Sequence, residues 1–131
     1  MFSHRFRVRY SECDQQGVVF NGHYLFYYDQ ALLELFRSFG YSWDELPDCD
    51  IVVAESTLKY RASTTFDELL DVCMPVSHVG NTSLIIEPRF EVDGQLRVEG
   101  TVRHVFIDPA TFKPTPIPAV LREPLEGASQ G

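Results

Sequence analysis

A chain of 131 residues, 44% hydrophobic and 23% charged, has the composition of one globular domain, long enough to bury a single core and too short for two. Its formal net charge of −8 excludes a broad nucleic-acid or anionic-membrane surface, which needs an excess of Lys and Arg. Cys13, Cys49 and Cys73 are odd in number and lack a CxxC spacing, so neither a disulfide framework nor a metal site is expected.

Unpaired thiols fit a reducing cytoplasm. The opening MFSHRFRVRY alternates too regularly for a signal peptide, and no apolar run approaches the roughly 18 residues of a membrane span, so no membrane insertion is expected. From Phe2 to Tyr10 the alternation predicts a half-buried strand, with Phe2, Phe6, Val8 and Tyr10 inward and Ser3, Arg5, Arg7 and Arg9 on a solvated outer face. Ser11 to Gly17 is a polar turn, followed by the apolar run Val18, Val19 and Phe20.

The next stretch is strongly periodic. Tyr24, Tyr28, Ala31, Leu32, Leu35 and Phe39 fall on one face of an α-helix, and Leu25, Phe26, Tyr27, Leu33 and Phe36 widen that face until only Gln30, Glu34, Arg37 and Ser38 are clearly polar. Such a helix must be buried on most sides. Asn21 is the expected N-cap and Gly40 the expected stop. Asp29 breaks the apolar arc, and a buried carboxylate there calls for an ion pair with a strand arginine.

Beyond the helix, Tyr41 to Asp50 reads as a loop with one helical turn at Ser42 to Leu46 and Trp43 as a lid over the core. Ile51 to Arg61 is a long strand, with Val52, Ala54, Ser56, Leu58 and Tyr60 on one face and Val53, Glu55, Thr57, Lys59 and Arg61 on the other. Glu68 to Val79 forms a third strand, in which Pro75 implies a bulge or an edge. Gly80-Asn81 turns into a fourth strand over Ser83 to Val92. Asp93-Gly94, the strongest hairpin signal, leads to a fifth over Leu96 to Ile107. Five strands and one long helix predict an α+β fold wrapped around that helix, a single domain over residues 1–124. The prolines from Pro109 to Pro124 leave room only for a short helix at Ala119 to Glu123, and residues 125–131, ending GASQG, form an expected flexible tail.

Chemistry is expected where the helix begins. A helix N-terminus presents unpaired N–H groups and about half a positive charge, which suits a developing oxyanion. Asp14 stands on a loop that Gly17 lets turn sharply, seven residues before Asn21. A carboxylate and an oxyanion-holding helix end are two parts that acyl transfer needs. Taken alone, Asp14 equally suits a turn aspartate bonded to its own backbone.

The pattern Asp14-x-x-Gly17-Val18-Val19-x-Asn21-x-x-Tyr24-Leu25-x-x-x-Asp29 resembles the signature of hotdog-fold acyl-CoA thioesterases of the 4-hydroxybenzoyl-CoA thioesterase type. The likeness is close over the first third of the chain, and the closing FIDPATFKPTPIP segment adds to it. It implies a hotdog fold with a five-stranded antiparallel sheet around a central helix. Asp14 would be the catalytic carboxylate, and the first helix amides, at Asn21 and Gly22, would polarise the thioester carbonyl. Relatives carry Asn, His or Tyr at the position of Asn21. Substrate contacts are expected from Gly17, Val19, His23 and Tyr24, from the cations Lys59 and Arg61, and from Asn81, Thr82 and Ser83. In relatives that last group lies near the pantetheine and adenosine moieties, often across a subunit boundary. No cofactor is implied beyond the coenzyme A of the substrate.

Two other activities compete with hydrolysis. A hotdog hydratase or dehydratase needs a loop histidine where this chain has Asp14, and a non-catalytic acyl-CoA-binding domain is expected to carry a fused DNA-binding segment. A single five-stranded sheet covers only one side of so apolar a helix and leaves its edges open. A homodimer or homotetramer with active sites at the dimer interface is therefore expected.

Overall fold

The computed structural model describes residues 1–129. Its elements are β1 (Ser3–Arg7), α1 (His23–Ser38), β2 (Asp50–Tyr60), β3 (Leu69–Cys73), β4 (Val76–Val79), β5 (Ser83–Ile86), β6 (Arg89–Val92), β7 (Gln95–Ile107) and α2 (Ala119–Ser129), with single 3-10 turns at Tyr10–Glu12 and Trp43–Glu45. The α+β expectation of one antiparallel sheet against one long helix stands, but the strand count does not. The expected third strand is two segments, β3 and β4, and the expected fourth is β5 and β6.

Proline explains both breaks, because it cannot donate to a ladder. Pro75 separates β3 from β4 and Pro88 separates β5 from β6, and the two sites adjoin: Glu87 N–H donates to the Pro75 carbonyl at 3.0 Å, and Gly100 N–H to the Pro88 carbonyl at 3.1 Å. A fold line thus crosses neighbouring strands and lets the sheet curl. β7 is the axis, pairing β2 on one side and β5 and β6 in tandem on the other; β6 continues to β3 and β1, and β5 to β4. Asp93 and Gly94 make the expected hairpin turn, both at positive φ (51° and 77°).

α1 lies across the inner face, with Tyr28, Ala31, Leu35 and Phe36 packed into the cluster formed by Leu70, Phe90, Val98 and Phe106. Trp43 meets Phe36 edge-on at 5.5 Å, closing one end of that core. The helix is not covered all round: Phe26 is 67% exposed and Leu25 lies open beside it. Tyr10, expected inward, is exposed because β1 ends at Arg7 and the chain turns there.

β2 carries a second correction. Its pairing with β7 shifts between Val53 and Glu55, so Ala54 is an extra residue in the ladder. Before that bulge Ile51 and Val53 oppose the inward Phe106 and His104; after it Ser56, Leu58 and Tyr60 oppose Val102, Gly100 and Val98. The inner face therefore takes Val53 where strict alternation gave Val52 and Ala54.

α2 continues six residues past the expected Glu123, through Pro124 at its middle, and seats Leu121 and Leu125 in the core. Its Arg122 donates to the carbonyls of Gly80 and Asn81, tying the helix to the β4–β5 turn. Of the expected disordered GASQG tail, Gly127, Ala128 and Ser129 belong to α2, and Gln130 and Gly131 lie outside the described residues. Among the described residues no helix is long and apolar enough to cross a membrane.

Candidate active site

The Ser11–Gly17 loop is held against the start of α1 by a small backbone ladder. Asp14 N–H donates to Val18 O at 2.8 Å, Gly17 N–H to Asp14 O at 2.9 Å, and Phe20 N–H to Glu12 O at 3.0 Å. Gly17 closes the turn at φ 81°, a conformation other residues rarely adopt. Val19 is buried and its N–H bonds Thr64 O at 2.8 Å, anchoring the loop to the segment after β2.

This brings Asp14 and the helix start into one cleft of ≈ 430 Å³, walled by Val19, Asn21, Tyr24, Tyr60 and Arg61 among others. One carboxylate oxygen, Oδ1, accepts the Gln16 N–H at 2.9 Å, the turn bond an aspartate makes with its own loop. Among the described residues nothing bonds Oδ2. The turn role and a free oxygen facing the cleft thus coexist in one side chain.

α1 begins one residue later than expected. Its N-cap is Gly22, in helical conformation with no side-chain cap, and Asn21 caps nothing because the Phe20 carbonyl takes the His23 N–H at 2.9 Å. Among the described residues no acceptor takes the N–H groups of Asn21, Gly22 or Tyr24. Tyr60, inward-facing on β2, donates its hydroxyl to the Asn21 carbonyl at 3.2 Å and fixes that peptide from the other wall. A Cβ added to Gly22 would come within 2.9 Å of the Phe20 ring, so the absence of a side chain there lets the Phe20 ring fold over the turn.

His23 points elsewhere. Its imidazole lies 3.3 Å from Glu12 Oε2, on the flank of α1 beside Phe26 and Tyr27. Glu12 is 7% exposed and accepts from Tyr27 OH at 2.6 Å and Arg9 N–H at 2.8 Å. Burial pushes that carboxyl up, but the bonds from Arg9 and Tyr27 and the nearby His23 together bring it below the ordinary range. Glu12 binds the loop to the helix, a function its position in a polar turn did not reveal.

The remaining expected contacts divide. Arg61 lines the cleft while paired with Glu99 at 2.9 Å; Lys59 lies two residues back on the same outer face of the sheet, directly opposite Glu99. Asn81, Thr82 and Ser83 are not in this cleft. Thr82 O receives Phe106 N–H at 2.8 Å, whereas the cleft adjoins Val98 through Tyr60. Eight residues of strand separate those positions, about 26 Å. Asp29 makes no ion pair among the described residues: the strand arginines Arg5, Arg7, Arg89 and Arg97 are engaged by Asp71, Asp67, Glu91 and Glu68, and Arg103, opposite Glu55, lies on the outer face of the sheet. Burial alone holds its carboxyl above the usual range.

The model of the Thioesterase-like superfamily matches residues 8–125. The chain is 30% identical over 115 residues to the acyl-CoA thioester hydrolase YbgC of Escherichia coli O6:H1, covering 86% of each chain. It is 28% identical over 120 residues to the acyl-CoA thioesterase YbgC of Haemophilus influenzae, covering 89% of this chain and 88% of that one. In fold it is similar to the BH1999 gentisyl-coenzyme A thioesterase, with a TM-score of 0.86 at 23% identity over 95% of this chain and 99% of the other. With the match spanning the loop, α1, every strand after β1 and the first half of α2, this chain belongs to the Thioesterase-like superfamily.

Proposed function

We propose that this chain hydrolyses acyl-CoA thioesters to a free acid and coenzyme A, with Asp14 as the reacting carboxylate. The carrying observation is the cleft that brings the Asp14 carboxylate, with one oxygen lacking a partner among the described residues, together with Asn21 and Tyr24 at the start of α1, whose N–H groups lack acceptors among the same residues. The thioester carbonyl oxygen accepts from those amides, which stabilise the negative charge it develops. Asp14 then either attacks the carbonyl carbon or draws a proton from an attacking water, and the coenzyme A thiolate leaves. The acyl-CoA hydrolase names of the relatives agree with this chemistry. A loop aspartate ahead of the helix is the arrangement of the 4-hydroxybenzoyl-CoA type, and on that ground we assign the chain to that branch.

Arg61 offers the cleft a cation for a coenzyme A phosphate. Asn81 to Ser83, about 26 Å along β7 from the Asp14 of their own chain, belong to the cleft of a second copy. The edge of β2 and the exposed Phe26 of α1 are where that copy docks, giving a homodimer with sites at its interface. Free thiols among the described residues and a coenzyme A substrate support a cytoplasmic location.

The direct test is release of free thiol from a panel of aliphatic and aromatic acyl-CoAs, followed with a thiol-reactive dye. Turnover of at least one member well above the uncatalysed rate is expected. No release from any of them would leave the cleft a binding site and nothing more.

A further inference from the structure

A second cavity of ≈ 260 Å³ opens further along the same seam, walled by Asp29, Leu32, Leu33, Trp43, Val53 and His104. One of its polar atoms, Nδ1 of His104, is buried without a partner, and a second polar group, the carboxylate of Asp29, lines the cavity while still exposed to solvent. Among the described residues Asp29 has no partner, and His104, 1% exposed, shares a hydrogen bond of 2.7 Å between Nε2 and Tyr28 OH while its Nδ1 bonds nothing. The Val52 carbonyl lies near enough to favour a charged ring, but burial outweighs it and the imidazole stays neutral. A buried nitrogen without a partner carries a cost that a suitable ligand would offset.

The geometry connects this cavity to the Asp14 cleft. Asn21, Leu25, Asp29 and Leu33 recur every four residues, so they form one stripe along α1. The inward face of β2 runs antiparallel beside it: Tyr60 bonds Asn21 at one end, and Val53 shares the cavity wall with Leu33 at the other. From Asn21 to Asp29 is eight residues, about 12 Å of helix axis. An extended chain advances about 1.2 Å per bond, so roughly ten bonds separate the thioester carbonyl from the cavity.

We propose that the Asp29–His104 cavity receives the far end of the acyl group and selects acyl groups that carry a hydroxyl about ten bonds from the carbonyl. This rests on the Asp14 cleft as the thioester site. A distal hydroxyl donates to the Asp29 carboxylate, and Nδ1 of His104 completes its bonding as donor or acceptor, whichever the tautomer leaves. Leu32, Leu33, Trp43 and Val53 hold the methylenes behind it. A plain alkyl end fills the same space but leaves Nδ1 of His104 unpaired and strips water from the Asp29 carboxylate without replacing it, and a site built to bond a hydroxyl rejects the analogue lacking one.

The test compares non-hydrolysable thioethers, S-(10-hydroxydecyl)-coenzyme A against S-decyl-coenzyme A, by calorimetric titration of the wild-type protein and of Asp29→Leu. Wild type is expected to bind the hydroxylated analogue about tenfold to a hundredfold more tightly, the range of a charge-assisted hydrogen bond. In Asp29→Leu that ratio falls to about one or inverts. Because Asp29 is exposed on α1 and both analogues are measured on the same preparation, a loss of fold appears as loss of both affinities and is checked by circular dichroism. Should the variant lose its fold, Asp29→Asn, which keeps the shape and removes the charge, takes its place with the same expected fall. Equal affinities in the wild type overturn the proposal, as does a preference unchanged in the variant. Turnover of butyryl-coenzyme A, too short to reach the cavity, is followed separately, so failure of the hydrolysis reading is told apart from failure of the subsite.

Discussion

At the scale of single residues the site depends on backbone as much as on side chains. If the free amides at Asn21, Gly22 and Tyr24 hold the oxyanion, crowding them should act on the transition state more than on the bound ground state. Gly22→Val places a side chain where the Phe20 ring lies and forces that ring and the adjoining amides to shift without removing a titratable group. Turnover is expected to fall about a hundredfold, as when one oxyanion donor is lost, while affinity for a thioether analogue changes severalfold at most. Equal losses in both would make the helix end a wall and not a catalyst. Asp14 and Gly17 were legible in the sequence because turn chemistry leaves a local signature. Glu12 was not, since a glutamate in a polar turn reads as solvated until Tyr27 and Arg9 are folded onto it.

The elements were readable wherever burial follows a period. Leu84, Ile86, Phe90 and Val92 face inward as alternation predicts, and α1 stays within two residues of its expected ends. Three features break the period and were missed: the bulge at Ala54, the strand break at Pro88, and the continuation of α2 past Glu123, where Pro124 suggested a stop. As the sixth residue of α2, Pro124 forgoes a bond to the Val120 carbonyl, and burial of Leu121 and Leu125 on either side of it offsets that loss. His104 on β7 gives this scale its test. Burial lowers its pKa from 6.5 to about 4, so between those values the unfolded chain binds a proton that the folded chain does not. That contribution to stability is complete above about pH 6.5 and is lost as pH falls toward 4, by roughly 3 kcal/mol. The raised Asp29 carboxyl works in the opposite direction at lower pH, so the comparison is made with His104→Phe. The variant should be less stable at pH 7, with Tyr28 OH unpaired, and should show a flatter fall in melting temperature between pH 7 and 4.5. An unchanged slope would mean that His104 titrates normally.

At the scale of the whole molecule the single chain looks half of something. β2 runs eleven residues with one edge unpaired, and Val53, which faces inward, is still 52% exposed because α1 does not reach over it. Long open edges beside exposed apolar side chains invite pairing. Light scattering should report a particle of two chains, or four, at micromolar concentration; a stable monomer on dilution would require Asn81 to Ser83 to be dropped from the site. This level was legible from the sequence only as an argument about uncovered surface, because an interface leaves no period of its own.

The central claim is that the carboxylate of Asp14 does the chemistry and that its loop does not need the charge to fold. Asp14→Asn keeps the oxygen that accepts the Gln16 N–H and removes the ionised group. With the best substrate of the acyl-CoA panel, kcat is expected to fall by a factor of about a hundred to ten thousand, the range of a lost general base. Affinity for the matching thioether should stay within a few-fold. A variant that turns over within a few-fold of wild type would contradict the account.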